Sequence, residues 1–225
     1  MSLLDWTSDL ARWLHKRQDT NFDHRWGFQT CEVDWNPDAS DLPENLRPDA
    51  RHYAPTPIAL FGRFVRRSRV NPRDFGFVDL GAGKGRTLLL AARAGFDPIV
   101  GVEIAPGLCQ TAETNLRRRS GGIGASPKMI NGDARTAELP AGNLFVFMFN
   151  PFTGSLFEEV ANRLADISRE EERAVVIAYH NDVCSDALER TGAFKRVRMR
   201  RIHFWRPPTA SFFYNEAAWR MRRGF

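Results

Sequence analysis

Between Phe75 and Tyr179 the chain alternates short apolar runs with longer stretches in which apolar residues recur every three or four positions. The runs at 75–79, 98–103, 144–149 and 174–179 read as strands, that at 144–149 (Leu-Phe-Val-Phe-Met-Phe) being the strongest; residues 128–131 form a weaker one. The intervening patterns predict helices over 87–94, 105–119 and 156–167. Strand and helix in such regular alternation predict a mainly parallel sheet covered by helices on both faces.

The flanks have a different texture. Leu3, Trp6, Leu10, Trp13 and Leu14 are apolar at helical spacing, which predicts an amphipathic helix over 2–16. The following stretch, 18–49, is rich in Asp, Asn and Pro and reads as an irregular connection. Pro57 then heads a helical pattern with Ile58, Leu60, Phe61, Phe64 and Val65, ending among Arg63, Arg66, Arg67 and Arg69. Near the other end, 194–205 and 211–214 read as an antiparallel hairpin split by Pro207-Pro208. All six Trp (6, 13, 26, 35, 205 and 219) lie outside the alternating core, so the flanks are expected to pack on it or to cover its site. The division expected is an N-terminal helical and irregular extension over 1–50, then one domain over 51–225 that ends in a basic hairpin and tail.

With 43% hydrophobic and 26% charged residues, the composition excludes a disordered or low-complexity chain. No apolar run approaches the ~20 residues of a membrane-spanning helix. The first twenty residues carry Asp5, Asp9, Arg12, Lys16 and Arg17 in place of the apolar stretch of a secretory signal, so a soluble, cytoplasmic protein is expected. Cys31, Cys109 and Cys184 show no metal-ligand spacing and read as buried, reduced thiols. The five His show no paired spacing either, and no metal is assigned. Net charge is +5, but from Lys195 onward nine basic residues face Glu216 alone. Only four of the 32 basic residues are Lys, so this segment is mostly guanidinium and could lend a weak affinity for nucleic acid.

The candidate chemistry centres on Val78-Asp-Leu-Gly-Ala-Gly-Lys-Gly-Arg86, a strand running through a glycine turn into a helix. Glycines are needed where the backbone turns tightly and where a ligand must approach it with no side chain between. Together with a second strand ending at Glu103, they indicate a nucleoside-type cofactor site at the carboxyl edge of the sheet. The spacing is Gly-x-Gly-x-Gly, with Arg86 where a dinucleotide loop has its third glycine. Asp79 would repel a pyrophosphate resting on the loop, yet could hold a cationic amino group such as that of S-adenosylmethionine. Both features disfavour a nicotinamide dehydrogenase. Glu103 has the usual position for accepting hydrogen bonds from ribose hydroxyls.

These residues resemble the class I S-adenosylmethionine-dependent methyltransferases over roughly residues 51–205. The resemblance rests on Asp79 to Gly85, on Gly101-Val-Glu103, and on Gly132-Asp133-Ala134 as the third motif. A closer likeness is to an uncharacterised bacterial methyltransferase group with Tyr-x-Pro-Thr-Pro (Tyr53 to Pro57), Val-Asp-Leu-Gly-x-Gly-Lys-Gly-Arg (Val78 to Arg86) and Phe-Asn-Pro-Phe (Phe149 to Phe152). The resemblance implies an α/β, doubly wound, mostly parallel, seven-stranded Rossmann-like sheet of order 3-2-1-4-5-7-6. It implies S-adenosyl-L-methionine as cofactor, held by Tyr53, Thr56, Asp79, Gly81, Ala82, Gly83, Glu103, Ile104, Asp133, Ala134 and Asn150. Asp133 would accept from the adenine amino group and Ala134 would lie beside its ring. Catalysis would fall to Asn150, Pro151 and Phe152, because amino-methyltransferases use Asn/Asp-Pro-Pro-Tyr/Phe to accept hydrogen bonds from a target nitrogen. This chain has one proline there instead of two.

The implied activity is methyl transfer to a nitrogen of a protein lysine, an RNA base or a small amine. The alternative is a non-catalytic protein of the same fold that binds RNA or a protein partner through its Arg-rich segments. Two local readings stay open in the sequence. His180 is either a proton acceptor in the substrate pocket or an ordinary partly buried histidine, and Lys84 and Arg86 are either ligand contacts or surface residues at a helix start.

Overall fold

The computed structural model describes residues 16–33, 44, 48–49, 51–118, 126–170, 173–199 and 209–224. The expected helix over 2–16 and the Arg-rich stretch with Pro207-Pro208 fall outside these residues, save for their edges.

Seven strands form one sheet of order β3-β2-β1-β4-β5-β7-β6. They are β1 (Gly76–Leu80), β2 (Ile99–Glu103), β3 (Lys128–Asn131), β4 (Leu144–Phe149), β5 (Val175–His180), β6 (Lys195–Arg198) and β7 (Ala210–Tyr214). All neighbours are parallel except β7, which runs antiparallel to both β5 and β6. The fold class and strand order expected from the sequence are those observed. Central strands are apolar on consecutive positions because helices cover both faces of the sheet. The edge strands β3 and β6 expose their ends, Lys128, Asn131, Lys195 and Arg198.

The period of two sorts β4 cleanly. Phe145 and Phe147 join Phe61, Phe64, Phe77 and Phe212 in one cluster, whereas Leu144, Val146 and Met148 join Leu156, Val160 and Leu164 in the other. Over the first face lie α2 (Ile58–Ser68), α3 (Arg86–Ala94) and α7 (Glu216–Arg223); α5 (Gly154–Glu170) and α6 (Ser185–Arg190) contribute to the second cluster. The remaining crossover helix, α4 (Pro106–Arg118), joins β2 to β3. β1 turns left toward β2 while β4 turns right toward β5, so the crevice between their carboxyl ends is the topological switch point of the sheet.

The structure departs from the sequence reading in three places. Residues 16–26 are helical (α1), although 18–49 reads as an irregular connection. The apolar stripe of α1 is thin, and its inward face is carried by Phe22 together with the carboxylates of Asp19 and Asp23, which no hydrophobic period registers. The basic tail contains α7, announced by Asn215, whose side chain accepts the Ala218 N–H at 3.0 Å as an N-cap. The short α6, six residues long, offers too few positions for a hydrophobic period to register. Of the cysteines, Cys109 is buried while Cys31 and Cys184 are half-buried. Among the described residues no helix is long and apolar enough to cross a membrane.

Candidate functional site

The glycine turn after β1 is left-handed at Gly81 (φ 86°), Gly83 (φ 53°) and Gly85 (φ 78°). Two of these positions are also closed to any side chain. A Cβ on Gly81 would lie 2.3 Å from Pro151 Cβ, and one on Gly83 would lie 2.2 Å from the Tyr53 ring. The turn is thus the meeting place of the loop after β4 and of the segment that precedes α2. Backbone N–H groups of Gly81 and Ala82 donate to Val102 O at 2.9 and 3.0 Å, fixing the turn against β2.

Two carboxylates stand behind this turn. Asp79 is 3% exposed and accepts a hydrogen bond from the Thr87 hydroxyl. Burial pushes its pKa up to about 7, the Thr87 bond opposing the shift and the charge of Glu103 adding to it. Glu103 accepts from Gly83 N–H through Oε2 and from Ala105 N–H through Oε1, both at 2.9 Å. Burial raises its pKa against those backbone bonds. Among the described residues neither carboxylate forms an ion pair with Lys, Arg or His, although buried acids are costly without one. Both line a cavity with roughly 920 Å³ of empty space, including its mouth.

The cavity gathers most of the residues singled out in the sequence. Tyr53 and Thr56 form one wall; Gly81, Ala82 and Gly83 with Asp79 form the floor; Glu103 and Ile104 follow, then Asp133 and Ala134; Pro151 and Phe152 close the far side. Asn150 does not line it. Its backbone is left-handed (φ 42°), and its Oδ1 is buried without a hydrogen-bond partner. Asp133 is already engaged, because Arg135 donates to Oδ1 from its backbone N–H at 2.8 Å and to Oδ2 from Nη2 at 2.6 Å and Nε at 2.9 Å. These bonds hold the Asp133 pKa below the usual carboxylate range. The carbonyl of Ala134 accepts from Arg163 Nη1 at 2.7 Å, tying this wall to α5. His180 packs behind the site, with its ring centroid 4.1 Å from that of Phe149.

Arg86 and Lys84 are the residues whose surface reading the structure overturns. Both are buried, at 2% and 9% exposure. Arg86 Nη1 lies 3.2 Å from Asp19 Oδ2, its Nε donates to Thr30 Oγ1 at 2.7 Å, and Nη1 donates to Thr56 O at 3.3 Å. Lys84 Nζ donates to Glu32 O at 3.1 Å and sits 5.3 Å from the Tyr53 ring centroid. Tyr53 in turn donates its hydroxyl proton to Thr30 O at 2.8 Å.

Comparison with solved structures gives the same fold. PH0226 protein from Pyrococcus horikoshii OT3 superposes with a TM-score of 0.50 at 13% identity, over 70% of this chain and 88% of that one. Magnesium protoporphyrin IX methyltransferase from Synechocystis PCC 6803, solved with bound SAM, gives 0.49 at 15% identity over 69% and 75%. Ribosomal protein L11 methylase from Lactobacillus delbrueckii subsp. bulgaricus gives 0.47 at 15% identity, again over 69% and 75%. At 13% identity the likeness to the Pyrococcus horikoshii protein is one of fold. No protein-family model and no curated protein matches the chain.

Proposed function

We propose that the chain is an S-adenosylmethionine-dependent methyltransferase acting on a nitrogen of a protein, RNA or small amine acceptor. The observation that carries this reading is the pair of buried carboxylates without a counter-cation, Asp79 and Glu103, on the wall of a cavity floored by a glycine turn. A ligand bearing an ammonium group and a ribose meets the needs of both acids. Asp79, once ionised, offers its carboxylate to the ammonium. Each Glu103 oxygen has one lone pair engaged by a backbone N–H, which leaves one on each for a ribose hydroxyl. A pyrophosphate at the same place would meet both anions, while the guanidinium of Arg86 on the wall is already engaged by Asp19, Thr30 and Thr56.

When bound, this cofactor supplies an activated methyl group, so the protein's share is orientation and exclusion of water. Tyr53 and Thr56 cover the turn, and Pro151 and Phe152 narrow the far side. Asn150 Oδ1 is a buried acceptor with no intramolecular donor, one residue from Pro151 on the cavity wall; we assign it the alignment of the target N–H, which requires its side chain to turn into the cavity when the acceptor binds. Asp133 can reach an adenine amino group only by sharing its oxygens with Arg135, so its contribution is the smaller one.

The activity is tested by incubating purified protein and methyl-labelled S-adenosylmethionine with a cell lysate resolved into protein, RNA and small-molecule fractions. Label that accumulates in one fraction only when the protein is present supports transfer and names the acceptor class. Donor binding with no transfer into any fraction would favour the non-catalytic binding protein.

A further inference from the structure

The helical layer carrying α2, α3 and α7 brings two helix ends together that are far apart in sequence. The Tyr214 hydroxyl donates to Ser68 O, in the last turn of α2, at 3.1 Å. Arg222, in the last turn of α7, places its guanidinium 5.0 Å from the Tyr214 ring centroid. Burial raises the Tyr214 pKa, and the charges of Arg222 and Arg69 both oppose that shift, consistent with the two helix ends converging there. The C-termini of α2 and α7 therefore meet at Tyr214, with Arg69 and Arg222 both close to its side chain, and Arg66, Arg67, Arg220 and Arg223 lie within one helical turn of that point.

Helix-dipole compensation explains part of this charge. Two helix ends supply roughly −1 between them, whereas Arg66, Arg69, Arg220, Arg222 and Arg223 stand against Glu216 as the only acid on α2 or α7. Glu216 is itself bound by Lys195 at 2.7 Å and Arg220 at 3.3 Å. The opposite face is balanced: α5 and α6 carry Glu158, Glu159, Asp166, Asp186 and Glu189 beside their arginines, with pairs Arg190–Glu158 at 2.7 Å and Arg169–Asp166 at 3.1 Å. The excess is thus one-sided.

We propose that this α2–α7 end is a docking surface for a polynucleotide backbone, held by phosphate contacts. Among the described residues the exposed large hydrophobics are Trp26, Val33 and Val183, none of them on α2 or α7, and the apolar groove that α2 lines through Ile58, Phe61 and Val65 faces α1 and α3. A protein partner would need an apolar centre to bury, and a membrane-surface helix would need an apolar face to insert. Phosphate recognition by guanidinium needs neither. Trp219 is half-buried, with Lys195, Arg222 and Arg223 at 5.6, 5.4 and 5.8 Å from its ring, so its exposed edge is already framed by cations. α2 begins beside Thr56 on the cavity wall and spans about 16 Å, so the surface lies a helix length from the candidate site and does not depend on methyl transfer.

The test is fluorescence anisotropy of the full-length protein with labelled RNA and DNA single strands of about 20 nucleotides, across a salt series. Arg66, Arg67, Arg220 and Arg223 are changed together to Gln; the control variant changes Arg117, Lys128, Arg169 and Arg190 to Gln, removing equal charge elsewhere. Circular dichroism verifies that both variants fold. The expected result is binding that falls steeply with salt, an affinity loss of about tenfold or more at low salt in the first variant, and a change within about twofold in the control. The salt slope of the first variant should be shallower by up to about 3, at roughly 0.7 per lost single-strand phosphate contact. RNA and DNA binding alike, or RNA alone, identifies which polymer the surface accepts. Absence of binding at low salt, equal loss in both variants, or equally effective competition by polyglutamate would overturn the proposal.

Discussion

Arg86 Nη1 lies 3.2 Å from Asp19 Oδ2, in a pair whose guanidinium is 2% exposed, and this contact joins α1 to the glycine turn. The same guanidinium reaches Thr30 Oγ1 and Thr56 O, so one side chain holds three separate segments around the cavity wall. Removing it takes this buried guanidinium away from the carboxylates of Asp19 and Asp23. Arg86→Met is expected to cost about 3 kcal/mol or more in urea unfolding, the scale for breaking a buried pair from one side. Arg86→Lys should lose much of this too, because an ammonium cannot serve all these acceptors at once. A loss under about 0.5 kcal/mol for Arg86→Met would place the side chain among ordinary surface residues.

Gly83 and Tyr53 should show a paired effect. Gly83→Ala drives a methyl group into the Tyr53 ring, 2.2 Å from its nearest atom, and adds the strain of a left-handed backbone (φ 53°). The strain alone is worth roughly 1–2 kcal/mol. Adding Tyr53→Ala removes the clash but not the strain, so the double variant should bind the donor better than Gly83→Ala alone. Calorimetric titration of the single and double variants measures the coupling; strictly additive losses would mean that the ring and the turn move independently.

The protonation of Asp79 predicts a pH dependence of stability. Its folded pKa, about 7, lies above its value in the unfolded chain, so between about pH 4 and 7 the folded state holds the extra proton. Stability without ligand is therefore expected to fall as pH rises through that window. Asp79→Asn should flatten that part of the profile and become the more stable protein above about pH 7. Donor affinity should move the opposite way in the wild type, rising with pH as the carboxylate ionises to meet a cation. Thermal unfolding and titration at three pH values across the window check both signs.

Asn150→Ala should leave donor affinity nearly intact while lowering turnover about 100-fold, as when an interaction made mainly in the transition state is lost. Asn150→Asp retains an acceptor and should keep part of the rate. A normal turnover for Asn150→Ala would reduce its left-handed geometry to a feature of the turn alone.

Much of this arrangement was legible from residues that act locally. The run Leu144 to Phe149 is long and apolar enough to be read as a central strand, and the glycine turn carries its own conformational requirement. The placing of Asp79 and Glu103 followed from the same signals, whereas the strand order and the site roles of Tyr53 and Pro151 came from the family resemblance that these motifs carry. Long-range polar bonds were not legible: Arg86 looks exposed at a helix start until Asp19 and Asp23 come up beside it, and α1 looks irregular because half of its inward face is charged. Asp133 shows the converse, since the sequence gives no sign that its neighbour Arg135 occupies both oxygens. α7 was hidden by its basic composition, although Asn215 is an ordinary N-cap.

The most direct measurement is calorimetric titration of S-adenosylmethionine and of NADH into the wild-type protein, Glu103→Ala and Asp133→Ala. The expected result is a donor that binds more tightly than NADH, a loss of about 1.5–3 kcal/mol on Glu103→Ala, and a smaller loss on Asp133→Ala, whose oxygens serve Arg135 already. NADH binding more tightly than the methyl donor, or undiminished donor affinity in Glu103→Ala, would contradict the assignment of the buried carboxylates to this cofactor.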